Sequence, residues 1–143
     1  MQAFDRVRVR MPNWLGDVVM ATPLLRTLRE NLPRAHLAIL TQPSGAKLLE
    51  GLPGIDEVIL FRKKDAHRGA AGLWRLGREL RTSRFDLAVC CPNSFSSAVP
   101  LFLAGIPRRV GWSYGGRGVL LTDRLRPQMK GHRRVPRPMP QYY

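Results

Sequence analysis

The stretch VRVRMPNWLGDVVMATPLLRTLREN, residues 7–31, decides the fold. Its first five residues, Val7 to Met11, alternate apolar and basic side chains, the period of a β-strand. Pro12 to Gly16 then reads as a loop. From Asp17 on, Val18, Ala21, Leu25, Leu28 and Leu32 recur at spacings of three and four, one apolar stripe of a helix. Asp17 reads as the helix cap. Pro23 predicts a kink, or a restart with Thr22 as cap and Pro23 at the first helical position. A strand running straight into an amphipathic helix is the opening of an α/β unit.

The same alternation continues outward. His36 to Thr41 is a short apolar strand, Pro43 to Glu50 a short helix, Leu52-Pro53-Gly54 a turn, and Glu57 to Phe61 a third strand. After a charged loop, Arg62 to Gly69, the residues Leu73, Leu76 and Leu80 mark a helix ending near Ser83. Asp86 to Cys91 is an apolar run of the kind buried in a parallel sheet. Ser94 can cap a helix carrying Phe95, Ala98, Val99 and Phe102, which Gly105-Ile106-Pro107 ends. Arg109 to Trp112 is a fifth strand and Val119 to Thr122 a sixth. The expectation is an α/β domain: a Rossmann-like parallel sheet with helices on both faces and right-handed crossovers. It occupies residues 1–123, followed by a Pro/Arg-rich tail, 124–143. Ligands in such sheets sit at the C-terminal ends of the strands. Three loops leave those ends: Pro12–Gly16, Arg62–Gly69 and Pro92–Ser94.

At 143 residues the chain has the length of one domain. Its 24 Lys and Arg against 10 Asp and Glu give a net charge of +14. The excess is concentrated: residues 62–84 hold eight basic and two acidic side chains, and residues 108–143 nine basic and one acidic. Such charge calls for anionic partners. It does not by itself make a nucleic-acid-binding module. No helix-turn-helix, RNP or zinc-finger pattern is present, and aromatics are not interleaved with the basic runs. No apolar run approaches the roughly 20 residues of a membrane span, and no signal peptide is visible. The adjacent Cys90 and Cys91 cannot build a disulfide framework; they read as buried strand residues and fit a reducing compartment.

Four places can carry chemistry. In the loop Pro12–Asp17, Gly16 permits close backbone approach. Asp17 is either a helix cap or a general base held at the top of the sheet. The loop lacks both glycine-rich phosphate fingerprints. The run Arg62-Lys63-Lys64-Asp65-Ala66-His67-Arg68 suits carboxylate or phosphate groups. Arg75, Arg78 and Arg81 read as the outer face of the helix that follows. Asn93 and Ser94 can hydrogen-bond a sugar, or Ser94 can cap its helix. Gly111 to Gly118 is a flexible loop carrying Arg117. His36, His67 and His132 are scattered and adjacent cysteines are not zinc spacing, so no metal site is expected.

Taken together, MPNWLGDVVMATPLLRTLRE, LPGIDEVILF, FDLAVCCPNSFSSA, LAGIPRRVGW and GRGVLLT resemble the ADP-heptose:lipopolysaccharide heptosyltransferases, glycosyltransferase family nine. The match covers most of residues 7–122. The resemblance implies the N-terminal half of a GT-B glycosyltransferase, the half that holds the acceptor. It implies inverting transfer of heptose from ADP-heptose to the anionic inner core of lipopolysaccharide. The expected location is cytoplasmic, at the inner face of the inner membrane, with possible contact to that surface. By position, Asp17 is then the general base, and Trp14, Leu15 and Gly16 line the cleft near the transferred sugar. Arg62, Lys63, Lys64 and Arg68 belong to a basic acceptor loop, and Asn93, Ser94 and Arg117 follow as further acceptor contacts. No cofactor is expected. The nucleotide of ADP-heptose is expected in a C-terminal domain absent from these residues, so the 143-residue chain alone is expected not to catalyse transfer. A relative with another acceptor is the alternative reading.

Overall fold

A computed structural model describes residues 4–62, 68–113, 116–125, 129–130 and 133–134. Six strands form one parallel sheet: β1 (Arg6–Arg10), β2 (His36–Thr41), β3 (Glu57–Leu60), β4 (Leu87–Cys90), β5 (Arg108–Trp112) and β6 (Asp123–Leu125). Their spatial order is β3-β2-β1-β4-β5-β6, so the chain starts in the middle and winds outward in both directions. Every adjacent pair is parallel. This is the doubly wound arrangement the alternating pattern predicts. A separate antiparallel pair, Met129–Lys130 with Arg133–Arg134, follows it. Most of the Pro/Arg-rich tail lies outside the described residues.

The register sets two cores. Val7, Val9 and Met11 point to one face, where helices α1 (Leu15–Asn31) and α2 (Pro43–Leu49) cover them with Val18, Ala21, Leu25 and Leu49. The other face carries Ala38, Leu40, Ala88 and Cys90. Helices α3 (Gly69–Arg81) and α4 (Phe95–Leu103) close it with Leu76, Leu80, Ala98 and Leu101. Each of these large side chains contributes about 1.5–3 kcal/mol relative to exposure. Helices α3 and α4 also pack tightly on each other. A Cβ at Gly77 would lie 2.6 Å from Leu103 Cβ, so only glycine fits there.

Three local expectations are corrected. Helix α1 begins at Leu15, with Trp14 at the cap position, so Asp17 is the third helical residue and not the cap. Pro23 does not restart α1 with Thr22 as cap, because the helix is continuous through it. The proline lacks the N–H that would bond the Val19 carbonyl, and the Thr22 hydroxyl donates to that oxygen instead at 2.7 Å. Val119 to Thr122 is not a strand. Residues Arg117–Leu120 form a 3-10 turn, and the sixth strand starts at Asp123. Leu120 and Leu121 are consecutive and both buried in the α3–α4 core, which the alternation of a strand forbids.

The central position of β1 has a further effect. Both faces of its alternation are covered, so Arg8 and Arg10 are buried, at 0% and 3% exposure. Each guanidinium lies over an aromatic ring: Arg8 on Phe85 at 3.8 Å and Arg10 on Phe61 at 4.1 Å. Such cation–π stacking is worth about 2 kcal/mol when desolvated.

Candidate functional site

Asn13, Gly69 and Ser94, one described residue from each of the three expected loops, meet at one cavity. A cavity of about 290 Å³ opens at the C-terminal edge of the sheet, lined by Arg10, Asn13, Phe61, Gly69, Leu73, Ser94, Ser96 and Ser97. Arg10 and Phe61 come from strand ends, Asn13 from the loop after β1, and the serines from the start of α4. A larger groove of about 610 Å³ lies between α1 and Leu52–Gly54. It sits toward the opposite edge of the sheet, and its Arg29 is spent on the carbonyls of Gly54 and Ala35 and on Asp56. The smaller cavity is therefore the better candidate site.

The loop after β1 is organised by Asn13. Its Oδ1 accepts from Arg10 Nη2 at 3.2 Å and from Gln42 Nε2 at 3.1 Å, tying β1 and the end of β2 together. Beyond it the chain turns outward. Trp14 is 77% exposed and Leu15 half exposed, so both present apolar surface to solvent. Gly16 has ordinary backbone angles, and a Cβ there would meet nothing within 4 Å; the glycine leaves open space at the helix start. Asp17 is half-buried in the first turn of α1, and no hydrogen bond or ion pair holds its carboxylate among the described residues. A carboxylate at a helix N-terminus that is spent on no structural partner is available to accept a proton from a bound hydroxyl.

The serines stand at the first turn of α4. Ser94 occupies the cap position, but its side chain makes no capping bond. Ser94 and Ser96 are exposed and Ser97 is buried. Ser97 Oγ donates to the Ser94 carbonyl at 2.6 Å. Asn93 is exposed next to them.

Arg117 is not where the sequence reading puts it. It is fully buried, so it cannot meet an acceptor at the surface. Its Nε donates to the Trp112 carbonyl at 2.6 Å, and its Nη1 donates to the Pro92 carbonyl and to Ser97 Oγ. It clamps the loop after β4 from beneath. A Cβ at position 111 would lie 2.8 Å from Arg117 Nη2, so Gly111 makes room for the clamp. Arg62 and Arg68 are exposed at the two ends of the basic loop. Lys63 and Lys64 lie outside the described residues. Arg75, Arg78 and Arg81 are exposed on the outer face of α3, as their spacing predicts.

The sequence reading missed Arg10, Asn13, Phe61, Gln42, Ser96 and Ser97. One signal was available: arginines alternating in the first strand of a doubly wound sheet must be buried, because that strand is central. Burial lowers the guanidinium of Arg10 to about 10. Arg10 therefore remains charged at neutral pH. Cys91 is fully buried, which pushes its thiol well up and keeps it protonated. Among the described residues no three His, Cys, Asp or Glu side chains converge to hold a metal ion.

Fold and site together define a Rossmann-type domain with a free carboxylate and a small polar cavity on the ligand-binding edge of its sheet. Comparison with known proteins shows what this chain is similar to. Residues 73–138 match glycosyltransferase family 9 (heptosyltransferase). Lipopolysaccharide heptosyltransferase 2 of Escherichia coli K12 is 36% identical over 118 residues, 82% of this chain and 34% of that protein. The solved structure of E. coli ADP-heptose lps heptosyltransferase II aligns with a TM-score of 0.72 at 34% identity, covering 83% of this chain and 34% of that one. The family 9 glycosyl transferase from Veillonella parvula DSM 2008 aligns with a TM-score of 0.81 at 25% identity, covering 90% and 38%. The chain is homologous to the family 9 glycosyltransferases, and its fold matches the corresponding part of their GT-B structures. It spans about a third of the length of the relatives it matches.

Proposed function

We propose that this chain is the acceptor-binding domain of an inverting glycosyltransferase that moves heptose from ADP-heptose to the inner core of lipopolysaccharide. The observation that carries the reading is Asp17: a carboxylate with no structural partner, in the first turn of α1, on the edge of the sheet where the cavity opens. In this reading Asp17 accepts the proton of the acceptor hydroxyl as that oxygen attacks the anomeric carbon. The nucleoside diphosphate leaves from the opposite face of the sugar, so the configuration inverts. Trp14, Leu15 and Gly16 form the wall beside the transferred sugar. Exposed Arg62 and Arg68, with Lys63 and Lys64 between them, attract the anionic acceptor, and Asn93 and Ser94 bond its hydroxyls. In this reading the nucleotide is held by a second domain. No helix of the described residues is long and apolar enough to cross a membrane. The basic excess supports cytoplasmic work at an anionic inner-membrane surface, where each well-placed Lys or Arg adds about 1 kcal/mol.

The test is Asp17→Asn in the transferase that contains this segment. A side chain of the same shape that cannot take the proton is expected to lower kcat by about 10²–10⁴-fold, with KM for the acceptor little changed. Unchanged turnover removes the base assignment.

A further inference from the structure

The cavity holds a cation that no described residue neutralises. Arg10 is 3% exposed, and its Nη1 is buried with no hydrogen-bond partner among the described residues. Among the described residues its only side-chain acceptor is the amide oxygen of Asn13, which is neutral. Among the described residues no ion pair reaches Arg10, and the nearby thiol of Cys91 is held protonated. Two more buried guanidiniums share this half of the molecule, Arg8 and Arg117, and both have nitrogens without partners. A buried charge without a counter-ion is expensive. At the mouth of the cavity, Ser94 and Ser96 present exposed hydroxyls, joined to each other by a long 3.4 Å hydrogen bond, and α4 directs its N-terminus there, which favours negative charge.

We infer that the cavity between β1 and α4 is an anion subsite, in which Arg10, Asn13, Ser94 and Ser96 take one carboxylate or phosphate-ester group of the acceptor. Arg10 supplies the charge, held flat on Phe61 so that the guanidinium is already ordered when the anion arrives. The hydroxyls of Ser94 and Ser96 complete the oxygen contacts. This rests on the reading of the chain as an acceptor domain and makes it more specific. The acceptor must carry an acidic group within reach of the hydroxyl that Asp17 deprotonates. A neutral sugar leaves the cation in the cavity unpaired, so it binds more weakly.

The test uses the whole chain and needs no turnover. Amide chemical shifts of Ser94, Ser96 and Ser97 are followed while glucuronate, glucose 6-phosphate, inorganic phosphate or glucose is added. Saturable shifts with an anion and none with glucose are expected. The tighter of the carboxylate and the phosphate ester identifies the acidic group. Arg10→Met is expected to weaken that binding at least tenfold. Ser96→Asp, at an exposed position, places a fixed carboxylate at the cavity mouth and is expected to abolish it without touching the core. If Arg10→Met does not fold, Ser96→Asp decides alone. Absence of saturable shifts, or anion binding unchanged in the folded variants, overturns the subsite. Either result leaves the Asp17 assignment standing, because that is read from turnover.

Discussion

Replacing Arg117 by Met separates a structural clamp from an acceptor ligand. The guanidinium serves the carbonyls of Trp112 and Pro92 and the hydroxyl of Ser97, all beneath the surface. Methionine keeps much of the volume and removes every donor. Two buried carbonyls then lose a charge-assisted partner, at roughly 1–3 kcal/mol each. Part of that is returned, because a cation no longer has to be desolvated. A net loss of about 3 kcal/mol follows, a large share of the 5–15 kcal/mol typical of a domain. With a urea slope of about 2 kcal/mol per M, the unfolding midpoint falls by about 1.5 M. Circular dichroism against urea reads this directly, and amide exchange in residues 92–97 should rise in the same variant. Arg117→Lys, which can reach only part of the set, should fall between. A midpoint unchanged from wild type, with acceptor binding reduced, would refute the clamp and restore Arg117 as a ligand.

Two further outcomes follow from the fold. Gly77→Ala puts a methyl 2.6 Å from Leu103 Cβ and should cost about 1–3 kcal/mol in chemical denaturation. Adding Leu103→Ala should recover part of the loss, whereas additive losses would show that α3 and α4 do not meet there. Stability should also fall in acid. Asp56 is held below the usual carboxylate range by the Leu37 amide and by Arg29, and Asp123 by Arg108. Both bind protons less well folded than unfolded, so their stabilisation is present above the ordinary carboxylate value near 4 and is lost as pH drops below it. Asp56→Asn should flatten the acid limb of stability against pH, and an unaltered limb would count against that carboxylate.

The doubly wound sheet was legible because periodicity is local: apolar runs of strand length alternate with stripes at helical spacing. The three loops that build the cavity followed from that topology alone. What failed to show was whatever depends on position within the sheet. Arg8 and Arg10 alternate with valines exactly as a half-exposed strand would, and only the central place of β1 buries them. Arg117 sits among glycines like a surface turn, yet Gly111 leaves it a slot and Pro92 and Trp112 offer carbonyls from other elements. The start of α1 at Leu15 was hidden because Trp14 occupies the cap position without a side-chain cap. Asp17, by contrast, was singled out from its place in the first loop and from the family resemblance, and the structure leaves its carboxylate without a bonding partner among the described residues.

The central claim, that this chain is the acceptor half of a sugar transferase, is tested most directly by equilibrium binding. The chain would be titrated with an acidic inner-core glycolipid in mixed micelles and, separately, with ADP. The account predicts saturable binding of the glycolipid, reduced by neutralising Arg62 and Arg68, and no binding of ADP. Tight binding of ADP with none of the glycolipid would contradict it.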